Sequence, residues 1–396
     1  MRLFPLAALA ALAPLPALAE LDLSAELSTT SISAMLEQLR ARPAPDADTH
    51  FAIAGLEFLG AVERTYQLRA RHGLEAFFAS PFTGYMDGPH PPAPEPLTAE
   101  VITQSLTDTL AAMERARAAL DAIPSEADPA LIVDFGAPWF DIDGDGARGD
   151  GEGMADLVGP ALVGTWTWRE RPQDAALPVI RFDAADRHWL RAYTQLISGT
   201  TEMILAYDPA PAIARVLASR AEITAAQPDP NRDLYGFGSF VDVVAMLDGT
   251  LRQRPDATRT RAARTHWLGM IADNRLFWAA LATETDNDRE WIPNDRQTSA
   301  LGIEFPEGLD QTWGAVLDDA EALLTGTRAI PFWRAPIGLD LNAFLENPAP
   351  VDFVGWVQGW AALEYRSDAP PISDTNWRAF SRVVQGRTGL MMLTLN

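Results

Sequence analysis

Long stretches of this chain repeat apolar residues every three or four positions, and that spacing confines most of it to helices. Within residues 50–72, Leu56, Leu59, Val62 and Tyr66 share one face, and Gly73 follows the basic pair Arg71 and His72 as a stop signal. Thr98 stands as a side-chain cap before the stripe Ile102, Leu106, Leu110, Met113 and Leu120, which Pro124 closes. Similar spacing predicts helices over 22–42, 183–206, 210–222, 237–253, 257–283, 309–325, 352–364 and 375–385. Asp183 is the expected cap of 183–206, whose inward face carries Trp189, Tyr193, Leu196, Ile197 and Ile204. In 352–364 the stripe is Phe353, Trp356, Val357, Trp360 and Leu363. There Gly355 and Gly359, one turn apart, would let another backbone approach.

Strand candidates are few. Leu131 to Val133 is a short buried run leading to an acidic loop. Beyond the loop, Gly164 to Trp168 alternates, and Val179 to Phe182 is its expected hairpin partner. The expected fold is therefore mostly α: a helical bundle or helical-pair array with one small β-hairpin and a cation loop inserted near the middle. The sections expected are a helical part over about 20–133, the loop and hairpin over about 134–182, and a helical part over about 183–396, all within one large domain.

The acidic loop carries the strongest chemical signal. It runs Asp141-Ile142-Asp143-Gly144-Asp145-Gly146-Ala147-Arg148-Gly149-Asp150-Gly151-Glu152. A hard cation such as Ca²⁺ takes six to eight oxygen ligands, and alternate residues of an extended loop aim their side chains the same way. Asp141, Asp143 and Asp145 occupy such alternate positions, and Gly146 stands where the chain must turn sharply. Several carboxylates packed this closely repel one another unless a cation joins them. The pattern D-x-D-x-D-G with Glu152 at the twelfth position resembles the EF-hand calcium loop, over these residues only. The resemblance implies Ca²⁺ held by Asp141, Asp143, Asp145, the carbonyl of Ala147 and a bidentate Glu152. Two departures stand out. Arg148 takes the place of the usual branched apolar residue that pairs with a second loop, and no second loop is present. Gly136 and Pro138 in the entering segment argue against an incoming helix.

Composition narrows the remaining chemistry. The first nineteen residues have one charge, an apolar core and the exit Ala17-Leu18-Ala19, the pattern of a secretory signal peptide cut after Ala19. The expected location is periplasmic or secreted, with no membrane span in the rest of the chain. The chain has no cysteine, so thiolate ligands and Cys nucleophiles are excluded. Lysine is absent as well, all 31 basic residues being Arg, which excludes Schiff-base chemistry and the Lys-dependent phosphate loop. A formal net charge of −23 disfavours nucleic acid as a partner and leaves the calcium ion as the expected one.

Other sites are weaker. The five histidines include no pair at zinc-ligand spacing, and His188 and His266 read as packed helix residues. An exported helical chain with 12 Trp is also compatible with a carbohydrate-active hydrolase on an α/α toroid using paired carboxylates. The nominal pairs are Asp183 with Asp186 and Asp286 with Asp288. The polar loop from Glu284 to Asp295 lacks the metal-loop spacing, and its Trp291 reads as an exposed ligand contact.

Overall fold

The computed structural model describes residues 20–73, 94–163, 170, 176–226, 237–385, 387 and 391–392. The expected signal peptide and the strand expected at 164–168 lie outside them. Among the described residues the fold is mostly helical, with two small three-stranded sheets.

Two short helices, α1 (Ser24–Leu27) and α2 (Ile32–Arg40), replace the single helix expected over 22–42. Ser31 divides them, accepting a hydrogen bond from the Ala34 amide as the cap of α2. Helix α3 (Ala47–His72) starts at the Asp46 cap and ends at Gly73, whose φ of 59° is the left-handed conformation that glycine adopts freely. Helix α4 (Ala99–Asp121) begins at the expected Thr98 cap. After α5 (Met154–Val163) come α6 (Asp186–Tyr207), α7 (Ala210–Ala226), α8 (Gly238–Leu251) and α9 (Ala257–Leu281). The rest are α10 (Leu309–Leu324), α11 (Leu341–Glu346), α12 (Phe353–Gln358) and α13 (Thr375–Val383).

Helices α6 and α9 form the most extensively packed pair, followed by α3 with α4. Close approach of the first pair depends on Gly199, where an added Cβ would lie 2.6 Å from the Trp267 ring and 3.1 Å from the Ala263 carbonyl oxygen. Strand β2 (Leu131–Asp134) runs parallel to β1 (Leu21–Asp22) and antiparallel to β3 (Val179–Phe182), Leu131 standing opposite Phe182. Thus Val179 to Phe182 is a strand as expected, and it pairs with β2; the partner expected at 164–168 lies outside the described residues. The second sheet joins β4 (Ile330–Pro331), β5 (Gly338–Leu339) and β6 (Arg366–Ser367).

One apolar core gathers α1 to α4, the first sheet and the floor of the acidic loop, including Phe140 and Ile142. A second gathers α9, α10, α11 and α13 around Trp313 and Phe380. Some expected stripes face outward instead. Ile204 is 41% exposed, and in α12 and the turn after it Phe353, Val357, Trp360 and Leu363 are all exposed. Gly355 admits the Trp360 side chain, its virtual Cβ 2.5 Å from Nε1, rather than a second backbone. Among the described residues no helix is long and apolar enough to cross a membrane.

Candidate metal centre

The acidic loop passes from an extended segment into a helix, so the incoming helix of an EF-hand is absent here. Trp139 bridges Gly153 in antiparallel fashion, the Phe140 amide donates to the Glu152 carbonyl at 2.9 Å, and the Met154 amide donates to that of Pro138 at 2.9 Å. Helix α5 starts at once, so the ends of the loop are tied together. Phe140 and Ile142 fix its floor in the core, being 0% and 4% exposed. Gly146 turns the chain with a φ of 77°, a conformation costly for residues with a Cβ.

Within that frame the backbone amides point at the carboxylates. The Gly146 amide donates to Asp141 Oδ2 at 3.1 Å, that of Asp145 to Asp143 Oδ1 at 3.1 Å, and that of Ala147 to Asp145 Oδ1 at 2.7 Å. The result brings together one oxygen each from Asp141, Asp143 and Asp145, all within 4.8 Å of one another. Oxygens bound at about 2.3–2.6 Å to one Ca²⁺ stand no farther apart than about twice that length, so these three can share an ion. Asp143 and Asp145 are exposed, whereas Asp141 is only 9% exposed. Asp141 Oδ1 is buried and accepts no hydrogen bond. An ionised oxygen in that condition is costly unless a positive charge compensates it.

Glu152, expected as a bidentate ligand, has both carboxylate oxygens engaged by backbone amides. It is 1% exposed. Its Oε1 accepts from the amides of Ile142 at 2.7 Å and Asp143 at 3.4 Å, and its Oε2 from that of Gly149 at 2.6 Å. Glu152 thus braces the loop from inside and stands outside the three-aspartate group. Ala147 lies exposed in the same turn. Arg148 folds back on the entering segment, donating to the carbonyls of Ala137 at 3.3 Å and Gly136 at 3.1 Å. It closes the loop where an EF-hand would pair with a second one.

Trp291 is buried in the first core, 9% exposed, and packs against Phe182 and Trp189 with ring centroids 5.9 Å and 5.6 Å away. The exposed contact expected of it is therefore corrected to a core position. His266 is held by Gln195, Nδ1 lying 2.6 Å from Oε1.

The fold also assembles a second carboxylate group. Asp183, Glu284 and Glu290 place one oxygen each within 4.8 Å of one another. The segment after Glu284 lies along β3, Arg181 donating its amide to the Arg289 carbonyl at 3.0 Å. Burial, then the charge of Asp183, drives the Glu284 carboxyl up to about 7, and the same two causes hold Asp186 well above the carboxylate range. Burial also raises Asp183 and Glu290. These carboxylates have protein donors. Asp183 accepts from the Ala185 amide at 3.0 Å and from Arg181 at 3.3 Å, Glu290 from the Asp288 amide at 2.8 Å, and Glu284 from Gln297 at 3.2 Å. Asp186 accepts from the Asp183 amide at 3.2 Å, so the Asp183–Asp186 pair shapes the turn before α6. Helix α6 starts at Asp186 with Ala185 at the cap position and no side-chain cap, so Asp183, the expected cap, stands two residues before that position. Asp288 pairs with Arg289. Neither nominal pair of the hydrolase reading is set beside an exposed Trp291.

Fold and loop together define a mostly helical protein bearing a braced three-aspartate cluster on a strand-to-helix loop. Comparison with protein-family models, curated proteins and solved structures returned no match.

Proposed function

We propose that this is an exported calcium-binding protein with a structural or ligand-binding role, in which Ca²⁺ locks the loop from Asp141 to Glu152. The observation that carries this reading is the Asp141 side chain. One oxygen is tied to the Gly146 amide and the other is buried without a donor, and the side chain as a whole groups with those of Asp143 and Asp145. Asp141, Asp143 and Asp145 would hold the ion, with the Ala147 carbonyl and water completing its shell. Mg²⁺ suits the site less, because it demands near-octahedral geometry at shorter distances. The acidic surface, with a net charge of −23, concentrates cations around the loop.

Binding to the folded state alone stabilises it by about 2.7 kcal/mol at a hundredfold excess of ion over Kd. The test is thermal unfolding of the mature chain in calcium and in chelator. The wild type should melt higher in calcium. Asp141→Asn keeps an acceptor for the Gly146 amide but removes the charge, so it should melt alike in both. Identical wild-type curves in calcium and chelator would refute the proposal.

A further inference from the structure

The first aspartate of the loop is gripped from outside it. Helix α3 reaches over with two side chains four residues apart, and residues at that spacing lie one above the other on a helix face. Glu63 Oε2 accepts the Asp141 amide at 3.1 Å, and Gln67 Nε2 donates to the Asp141 carbonyl at 2.7 Å. Both polar groups of one peptide residue are thereby held by adjacent turns of a single helix. Glu63 is 2% exposed, so this side of the loop faces protein rather than water.

We propose that Glu63 and Gln67 are the positioning residues of the cation loop, fixing Asp141 so that its free oxygen is aimed before any ion arrives. This inference rests on the calcium reading and adds the source of the site's preorganisation. With its amide, its carbonyl and Oδ2 all engaged, Asp141 has little freedom left except at Oδ1. Ion binding then orders fewer groups, and that saving appears as affinity. Hydrogen-bond partners of metal ligands in other proteins contribute about 10–100-fold in affinity. The coupling runs both ways: if α3 tightens the ion, the ion tightens α3.

Calorimetric titration with calcium alone tests this on wild type, Gln67→Ala and Glu63→Gln, each first melted in chelator. Gln67 is half-buried, so its truncation leaves the fold intact more readily than a change at buried Glu63. Gln67→Ala should bind about tenfold more weakly, with little change in its chelator melting point. Glu63→Gln retains an acceptor for the Asp141 amide and should stay nearer to wild type than Gln67→Ala does. Hydrogen exchange supplies a second readout: calcium should slow the amides of α3 around residues 63–67 in wild type and fail to do so in Gln67→Ala. Equal affinities for wild type and Gln67→Ala would overturn the clamp while leaving the calcium reading intact. A chelator melting point lowered by Gln67→Ala with affinity unchanged would make Gln67 a packing residue and overturn it too. A wild type that binds no calcium would overturn both.

Discussion

At the scale of single residues, the loop shows how one carboxylate differs from another of the same charge. Asp141, Asp143 and Asp145 are placed by alternation along the chain, which is why D-x-D-x-D-G was legible in the sequence. Glu152 was not, because its role depends on where three amides point once Phe140 and Ile142 are buried. Glu152→Ala removes the acceptor for the amides of Ile142, Asp143 and Gly149. The Ile142 bond is buried, and leaving a buried donor unpaired costs about 1–3 kcal/mol. Urea unfolding in chelator should therefore show a loss of at least that size. A simple ligand would lose stability only when calcium is present, so the chelator arm separates the two roles. The burial of Trp291 is likewise set by residues distant in sequence. Trp291 sits in a polar stretch of sequence, but its neighbours Phe182 and Trp189 come from a strand and a helix about a hundred residues earlier.

Local sequence specifies the elements more surely than the faces they bury. Caps and stops are local chemistry, so Thr98 and Gly73 were found where the helices begin and end. Periodicity also located the long helices, but it cannot say whether a stripe meets protein or solvent. That is the reason α12 disappoints: its aromatic row is real, yet Phe353 and Trp360 point outward. Between α6 and α9 the packing is decided by a missing side chain. At Gly199 even a methyl group would collide with the Trp267 ring and crowd the Ala263 carbonyl. Overpacking of this kind costs about 1–3 kcal/mol. Gly199→Ala should lower the unfolding free energy by about that amount, read as a drop in the urea midpoint at unchanged m-value, and a variant as stable as wild type would show that the pair can slide apart freely.

For the whole molecule, buried carboxylates, the second group among them, give stability an expected dependence on pH. That second group was invisible in the sequence because Asp183 and Glu284 are remote until β3 and the segment after α9 are laid side by side. Burial raises Glu284 to about 7, and elsewhere it raises Asp273, beside Arg191, to about 6. Such groups favour the folded state when protonated, so their contribution is fully present below about 4 and is lost as pH climbs through 6 to 7. Stability in chelator should therefore fall over that window, as followed by urea unfolding at stepped pH. Glu284→Gln should flatten its upper end, and an unchanged slope in that variant would assign the loss to other groups. Asp46 and Asp22 act oppositely, their hydrogen bonds lowering them below 3.8, but their influence is confined to stronger acid.

Arg148 has a consequence for how the molecule would register its ion. Twinned loops that share an apolar ribbon fill together, and their joint loading sharpens the response into a threshold. Here the arginine ties the loop to the carbonyls of Gly136 and Ala137, its own upstream segment. With no sister loop to recruit, occupancy would rise as a plain hyperbola. Under the proposed calcium reading, a single loop closed in this way would suit steady occupancy better than the signalling of a pulse.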